Sequence, residues 1–373
     1  MTTGAAPRRV TIADVAGRAG VSTAAVSKVL RGAYGVSPGM QAKVREAMDE
    51  LGYRPHAAAR AMRGRTYTLG VMLSDTRNPF FPDIIEGVTG QLGGTEYQVL
   101  LGPGGAEPKS QARMTNAMID RSMDGIILIS PVMPAAELAA IATTTPIVVI
   151  GRHGSAAEYD SVVDDDDTGA RLVVDHLAGL GHRRIAHITH LDRGRASGAD
   201  SPQAVRAEGY RRAMLAGGLA EGIDLVATSF TEEGGYEGAR QLLARPVRPT
   251  AIFAGADVAA LGVLRAAYEA GLSVPGDLSV AGYDNIGIAS LEPISLTSVD
   301  QDGHVIGATA ARLLVERIEG RGRSVLSSVS PTLVVRGTTG PPAGGGDRPA
   351  PTRRRPEAVR PPSTPPDLDH SRS

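Results

Sequence analysis

The chain has 373 residues, with 39 Lys and Arg against 40 Asp and Glu for a formal net charge of −1. Its 42% apolar content suits a globular protein with a large core, and the absence of cysteine excludes a disulfide scaffold, thiolate metal sites and cysteine nucleophiles. No apolar run reaches the roughly eighteen residues of a membrane span, and no apolar stretch follows the basic N-terminal residues, so a cytoplasmic protein without a secretory leader is expected.

Charge is unevenly placed. Residues 1–65 hold eleven Lys and Arg against four Asp and Glu, a net of +7. Residues 341–373 hold six against four, a net of +2, which leaves −10 for the stretch between. A basic head on an acidic body implies one domain that meets a polyanion and one that does not, although a solvated basic face gives the same count.

In chain order, Thr11 is placed to cap a first helix, with Asp14 three residues on as a carboxylate variant of the capping box. Ile12, Val15, Ala16 and Ala19 recur at helical spacing, and Gly20 ends the helix. Ser22 can cap a second helix with Val26, Val29 and Leu30 inward, and Ser37-Pro38 opens a third with the stripe Met40, Val44, Ala47 and Leu51. Beyond Pro55, residues 56–63 carry a helical pattern too short to hold alone. From Tyr67 the pattern becomes strand–helix–strand. Strands are expected at 69–73, 97–101, 125–129, 146–150, 184–188, 251–254 and 278–281. Helices are expected at 83–92, 109–120, 167–180, 204–215, 235–243 and 258–270. Such alternation predicts parallel sheets wound by helices, in two α/β lobes. Residues 341–373, with nine prolines, read as a disordered tail.

Val10–Gly32 reads as a helix-turn-helix whose second helix is shaped for the major groove. Small residues at Thr23, Ala24 and Ala25 allow close approach to bases, and Ser27 and Lys28 share the exposed side. The competing reading is an alanine-rich helical hairpin. Asp164–Asp167 is a run of four carboxylates; helix-dipole stabilisation is preferred there over an oxygen-ligand metal site. Gly102–Gly105 lacks the lysine of a phosphate loop, and neither an HExxH pair nor a nucleophile elbow occurs, so no cofactor, no metal and no catalytic residue are expected.

The helix-turn-helix segment resembles the LacI/GalR family of bacterial transcription regulators. The likeness continues through Leu51-Gly52-Tyr53-Arg54-Pro55, Asn78-Pro79-Phe80-Phe81, Asp175-His176-Leu177 with Gly181-His182-Arg183-Arg184, Gly282-Tyr283-Asp284 and Thr297-Ser298-Val299-Asp300-Gln301. It implies a dimeric repressor with a headpiece (1–55), a hinge helix (56–66) and a two-lobed core like a periplasmic binding protein (67–340). Lobe one would take 67–163 and 299–326, and lobe two 164–298 and 327–340. The fold class is thus α/β behind an all-α headpiece.

The resemblance also assigns residues. Thr23, Ala24 and Lys28 fall at base-reading positions, where lysine replaces the usual arginine and loses its planar fork. Thr11, Ser22 and Arg31 would meet phosphates, as would Arg9 and Arg54. In the hinge, Met62 is the apolar wedge for the minor groove, Ala59 allows close approach and His56 replaces a frequent asparagine. The effector cleft would use Asp75, Asn78 and Phe80 from lobe one, Arg206, Phe230 and Asp284 from lobe two, and Gln301. Two departures stand out: Ala256 replaces a common asparagine, and Gly151-Arg152 replaces a polar residue and adds a cation. The implied partners are operator DNA and a mono- or disaccharide, with acidic or phosphorylated ligands raised by Arg152. A corepressor, an activator, a solute-binding protein and an enzyme are the rival readings; the attached basic headpiece and missing catalytic constellation weigh against the last two.

Overall fold

The computed structural model describes residues 10–30, 34–53, 64–154, 156–190 and 198–343. Arg9, Arg31, Arg54, the hinge positions His56, Ala59 and Met62, and the tail from 344 onward lie outside the described residues.

The headpiece is built from α1 (Ile12–Ala19), α2 (Thr23–Leu30) and α3 (Pro38–Leu51). A complete capping box starts α1: the Asp14 N–H donates to Thr11 Oγ1 at 3.3 Å, and the Thr11 N–H donates to the Asp14 carboxylate at 2.8 Å. Gly20 ends it in the left-handed region at φ +66°, which lets the chain reverse within two residues. Ser22 Oγ accepts the Ala25 N–H at 3.1 Å, and Ser37 Oγ accepts the Met40 N–H at 3.3 Å ahead of Pro38. Val15, Ala16, Val26, Val44 and Ala47 form the small core, with Val29 and Leu30 only half-buried beside it.

The core begins with β1 (Thr68–Leu73), α4 (Phe80–Gln91), β2 (Gln98–Pro103), α5 (Pro108–Asp120), β3 (Gly125–Ile129), α6 (Ala135–Ala142), β4 (Ile147–Ile150) and β5 (Asp160–Asp164). The second unit follows as α7 (Asp166–Gly179), β6 (Ile185–His190), α8 (Pro202–Ala216), β7 (Ile223–Thr228), α9 (Glu232–Leu243), β8 (Ala251–Ala254), α10 (Asp257–Glu269), β9 (Ser279–Tyr283) and β10 (Thr297–Asp300). Strands β3, β4, β5 and β8 are buried end to end, as strands covered by helices on both faces must be.

After β10 the chain returns to the first unit. There α11 (Gly303–Ile318) packs on α4, and β11 (Leu326–Val329) pairs with β5. It then enters the second unit again as β12 (Thr332–Val334), antiparallel to β10. The first sheet runs β2-β1-β3-β4-β5-β11 and is parallel throughout; the second runs β7-β6-β8-β9-β10-β12. The three crossings between sheets are each one or two residues long, at 165, 301–302 and 330–331. All three leave the carboxyl ends of strands, β5 and β10 second from the edge of their sheets and β11 at the edge, and the Asp165 N–H donates to Val329 O at 3.0 Å, tying two of them together. The lobe divisions therefore fall after 300 and after 329, where the sequence reading places them at 298–299 and 326–327.

Helices α4 and α11 cross at glycines. A Cβ on Gly307 would lie 2.0 Å from Ile84 O, and one on Gly87 would lie 2.2 Å from His304 O. Gly307→Ala should therefore cost about 1–3 kcal/mol through forced separation of the two helices. Gly90→Ala, with open space at its Cβ, should be neutral or gain up to about 1 kcal/mol. Thermal unfolding of the two variants checks this, and equal melting temperatures would show that the crossing tolerates a methyl group.

Candidate functional site

The carboxyl ends of both sheets face a common cleft, the usual ligand position for wound α/β sheets. Its floor is a chain of buried charge that starts at the end of β5. Asp165 caps α7, accepting the Thr168 N–H at 3.1 Å, and exposed Asp167 pairs with Arg212. The dipole reading of the acidic run suits these two. Asp164 and Asp166 are buried and do something else. Asp166 Oδ1 accepts from Arg206 Nε at 2.8 Å and Nη2 at 2.6 Å, while its Oδ2 lies 2.7 Å from His153 Nε2. Asp164 accepts the Tyr283 hydroxyl at 2.6 Å. Arg206 also donates to Gly255 O and lies over the Tyr283 ring, its guanidinium carbon 3.4 Å from the centroid.

These contacts set protonation. Burial raises the Asp164 carboxyl to about 7, helped by the charge of Asp166 beside it. Burial acts on Asp166 too, but Arg206 and His153 outweigh it and hold that carboxyl below its ordinary value. His153 is desolvated, yet the bond to Asp166 raises it overall. His153, Asp164 and Asp166 have ligand atoms within 4.8 Å of one another, a spacing a metal could use. The guanidinium of Arg206 already supplies the positive charge that this group requires, and Tyr283 satisfies Asp164.

On the other side, Asp284 follows β9 at φ +113° and Asn285 at φ +50°, a tight reversal that aims Asp284 inward. Its Oδ1 accepts from Gln301 Nε2 at 2.6 Å, and its Oδ2 accepts from Asn78 Nδ2 at 3.4 Å. Asn78 in turn accepts the Phe80 N–H at 3.0 Å, which fixes the amide ahead of α4. Burial drives the Asp284 carboxyl well above the ordinary range. Asp257 at the start of α10 braces this turn, accepting from Ser298 Oγ at 2.6 Å and Ile286 N at 2.9 Å.

The structure brings Asn78, Phe80, Arg206, Phe230, Asp284 and Gln301 to one cavity of about 110 Å³. Gly151, at φ +72°, and Ala256 line it as well, so both departures face the cleft. Asp75 stands further out, paired with Arg77 at 3.1 Å, on a neighbouring space of about 360 Å³. Arg152 is a correction: the residue is 3% exposed, and its guanidinium turns away and donates to Met133 O at 2.7 Å behind the cleft wall. The positive φ of Gly151 redirects the chain just before it, so the cleft gains no cation from this residue. Sequence reasoning missed Asp164, Asp166 and His153 as parts of the site. The acidic run was the visible signal, and its inward half became separable only once Arg206 was seen against it.

On the headpiece, Ser22, Thr23, Ala24 and Lys28 are exposed along the start and outer side of α2, with Ser27 half-buried among them. The Thr11 hydroxyl donates to Asp14 at 2.7 Å, so it serves the cap first.

Comparison with known proteins matches residues 11–56 to the model for bacterial regulatory proteins of the lacI family, and residues 174–339 to that for a periplasmic binding protein-like domain. The chain is 35% identical over 314 residues to the ribose operon repressor of Escherichia coli (strain K12), covering 83% of this chain and 93% of that protein. A transcriptional regulator CelR–cellobiose complex aligns at 31% identity with a TM-score of 0.65, covering 88% of this chain and 100% of that one. The lac repressor dimer bound to operator and an anti-inducer aligns at 25% identity with a TM-score of 0.74, covering 89% and 100%.

Burial lifts Asp257 from 3.8 to about 7. The folded carboxyl thus keeps its proton where the unfolded one has lost it. Its contribution to stability is present below pH 3.8 and is lost as pH rises toward 7. Asp257→Asn removes this titration, so unfolding free energy measured by denaturant between pH 4 and 7 should fall less steeply than in the unaltered chain. An unchanged slope would show that Asp257 is ionised in the fold.

Proposed function

The chain belongs to the LacI family of bacterial regulatory proteins, and on that premise we propose that it represses transcription by binding operator DNA and is released by a neutral, hydroxyl-rich effector held between its lobes. One observation carries the effector half: the buried charges of the cleft are already compensated by one another. Arg206 is matched to Asp166, burial pushes Asp284 toward its uncharged form between two amides, and Arg152 faces elsewhere. Among the described residues that line the cleft, a charged ligand would find no unmatched counter-charge. A ligand with hydroxyls finds both carboxylate and amide partners, and the Phe230 ring beside them. This favours a mono- or disaccharide over the acidic or phosphorylated compounds that Arg152 suggested. That the matched relatives include a ribose operon repressor and a cellobiose-bound regulator agrees with this choice.

The DNA half rests on the exposed face of α2. Thr23, Ala24 and Lys28 read the major groove, with Ser22 and Ser27 beside them. Two headpieces of a homodimer take the halves of a near-palindromic site, with Arg31, His56, Ala59 and Met62 completing the contact. The effector acts by closing the cleft, which moves the first lobes against each other. Linkage requires operator DNA to weaken effector binding by the same factor. The relatives are transcription repressors, and no catalytic role is assigned to this chain. Among the described residues no helix is long and apolar enough to cross a membrane, and the protein works in the cytoplasm, where its DNA is.

Lys28→Ala should weaken operator binding by at least about tenfold and shallow its salt dependence, while effector-induced stabilisation stays unchanged. Phe230→Ala should do the reverse, lowering effector affinity about tenfold with operator binding intact. Mobility shift with a selected operator and thermal unfolding against sugars read the two halves separately. An Lys28→Ala protein with unaltered DNA affinity would remove α2 from the interface.

A further inference from the structure

The chain enters the core at Gly64–Thr68, and this entry is held by several groups at once. Gly64 lies at φ +119° and Tyr67 at φ +53°, a left-handed conformation that a tyrosine rarely adopts. Such a residue persists only where its surroundings over-determine it. Asp124, immediately before β3, supplies that constraint. Its Oδ1 accepts the Thr66 N–H at 2.7 Å, and its Oδ2 accepts the Tyr67 N–H at 2.8 Å. The buried Thr66 hydroxyl is shared between Asp124 Oδ1 at 2.9 Å and Ser122 O at 3.0 Å. The Asp124 N–H in turn donates to Thr68 O at 2.9 Å.

A second hold comes from Arg65, whose Nη2 donates at 3.3 Å to Ile318 O, the last carbonyl of α11. A cation is favoured at that end of a helix. The Tyr67 ring also meets the Tyr97 ring at 5.5 Å between centroids. Both polar holds sit on elements that cross lobe one to the cleft. β3 begins just after Asp124 and ends at Ile129, beside the cleft residue Ser130. α11 follows directly on the crossing at 301–302, where Gln301 donates to Asp284, and its 16 residues reach Ile318. That is a rod of about 24 Å. The entry of the chain and the cleft thus lie at opposite ends of the same two elements.

We propose that Asp124 and Arg65 are positioning residues for operator binding. They fix the place and direction at which the chain leaves the core, and so the presentation of the headpiece to DNA. This rests on the operator-binding reading and adds to it residues that act without touching DNA or effector. A carboxylate gains nothing from phosphate, so Asp124 separates anchoring from electrostatics by sign: loss of its charge alone would tighten DNA binding, and loss of the anchor weakens it.

The test uses the full chain and two duplexes, one that the unaltered chain selects from randomised DNA and a scrambled version of it. Asp124→Asn keeps the shape but puts N–H donors where acceptors are needed. It should bind the selected duplex at least about tenfold more weakly, with affinity for the scrambled duplex unchanged. Thr66→Val should lose about threefold in the same way, and Thr66→Ser, which keeps the hydroxyl, should recover most of it. Arg65→Met should lose about fivefold with its salt dependence unaltered. If Asp124→Asn does not fold, the Thr66 pair makes the same comparison. Selected-duplex binding by Asp124→Asn as tight as, or tighter than, that of the unaltered chain overturns the proposal. So does a lower unfolding temperature with the ratio of the two affinities unchanged, which is the mark of a merely structural role. A salt slope shallower by about 0.9 for Arg65→Met would place Arg65 on a phosphate and overturn its part. If the unaltered chain enriches no sequence, the operator-binding reading fails and the proposal with it.

Discussion

Burying a guanidinium inside a protein is tolerable only if every donor on it finds an acceptor, and the space between the lobes is organised by that requirement. Arg206 reaches in from α8 and is met by Asp166 from the start of α7, by Gly255 O from the end of β8 and by the Tyr283 ring from the end of β9. Four separate chain segments must arrive together for this one side chain to be buried without loss. An isolated buried charge costs several kcal/mol, so the cluster forms as a unit. The raised carboxyl of Asp164 belongs to the same account. With Asp166 ionised beside it, a second negative charge in that space is disfavoured, and the Tyr283 hydroxyl satisfies it instead.

The parts legible in the sequence were those whose signal is local. Thr11, Gly20, Ser22 and Ser37-Pro38 act within one turn of the helices that they start or stop, and the structure shows each at that position. Fully apolar runs such as Gly125–Ile129 and Ala251–Ala254 were likewise visible, because nothing but a buried strand suits them. Strands with mixed composition were not. β5 begins and ends in aspartate, since Asp160 anchors Arg317 and Arg321 while Asp164 meets Tyr283. β7 is half-exposed at the edge of its sheet, and α11 opens on a glycine that fits against Phe80 and Asp83. In each case the residue choice answers to a partner more than a hundred positions away or to the sheet edge.

The site divides in the same way. Asn78, Phe80, Arg206, Phe230, Asp284 and Gln301 were reachable through resemblance, and they converge. Arg152 was not, because a side chain's direction after a glycine depends on that glycine's backbone angle. With Gly151 in the left-handed region, the next residue points to Met133 behind the wall. Asp166 was hidden in a run of four like residues whose members serve three different ends. Charge distribution told more than net charge. The acidic core discourages contact with phosphate, so the basic headpiece is left as the surface that approaches DNA.

The three crossings at 165, 301–302 and 330–331 have a mechanical consequence. Each is too short to buckle, and all three lie side by side near matching sheet edges. Two bodies joined by three short parallel straps can swing about the line through them, while shear and separation are resisted. The lobes thus share essentially one rotational coordinate. Whatever fills the cleft is reported to the rest of the molecule as a single angle, regardless of the ligand's own shape. Residues facing the ligand can then be exchanged without rebuilding the output, provided that the new ligand sets the same angle. Gln301 sits within one strap and Asp164 and Asp166 flank another, so this angle is set where the ligand's polar partners are anchored.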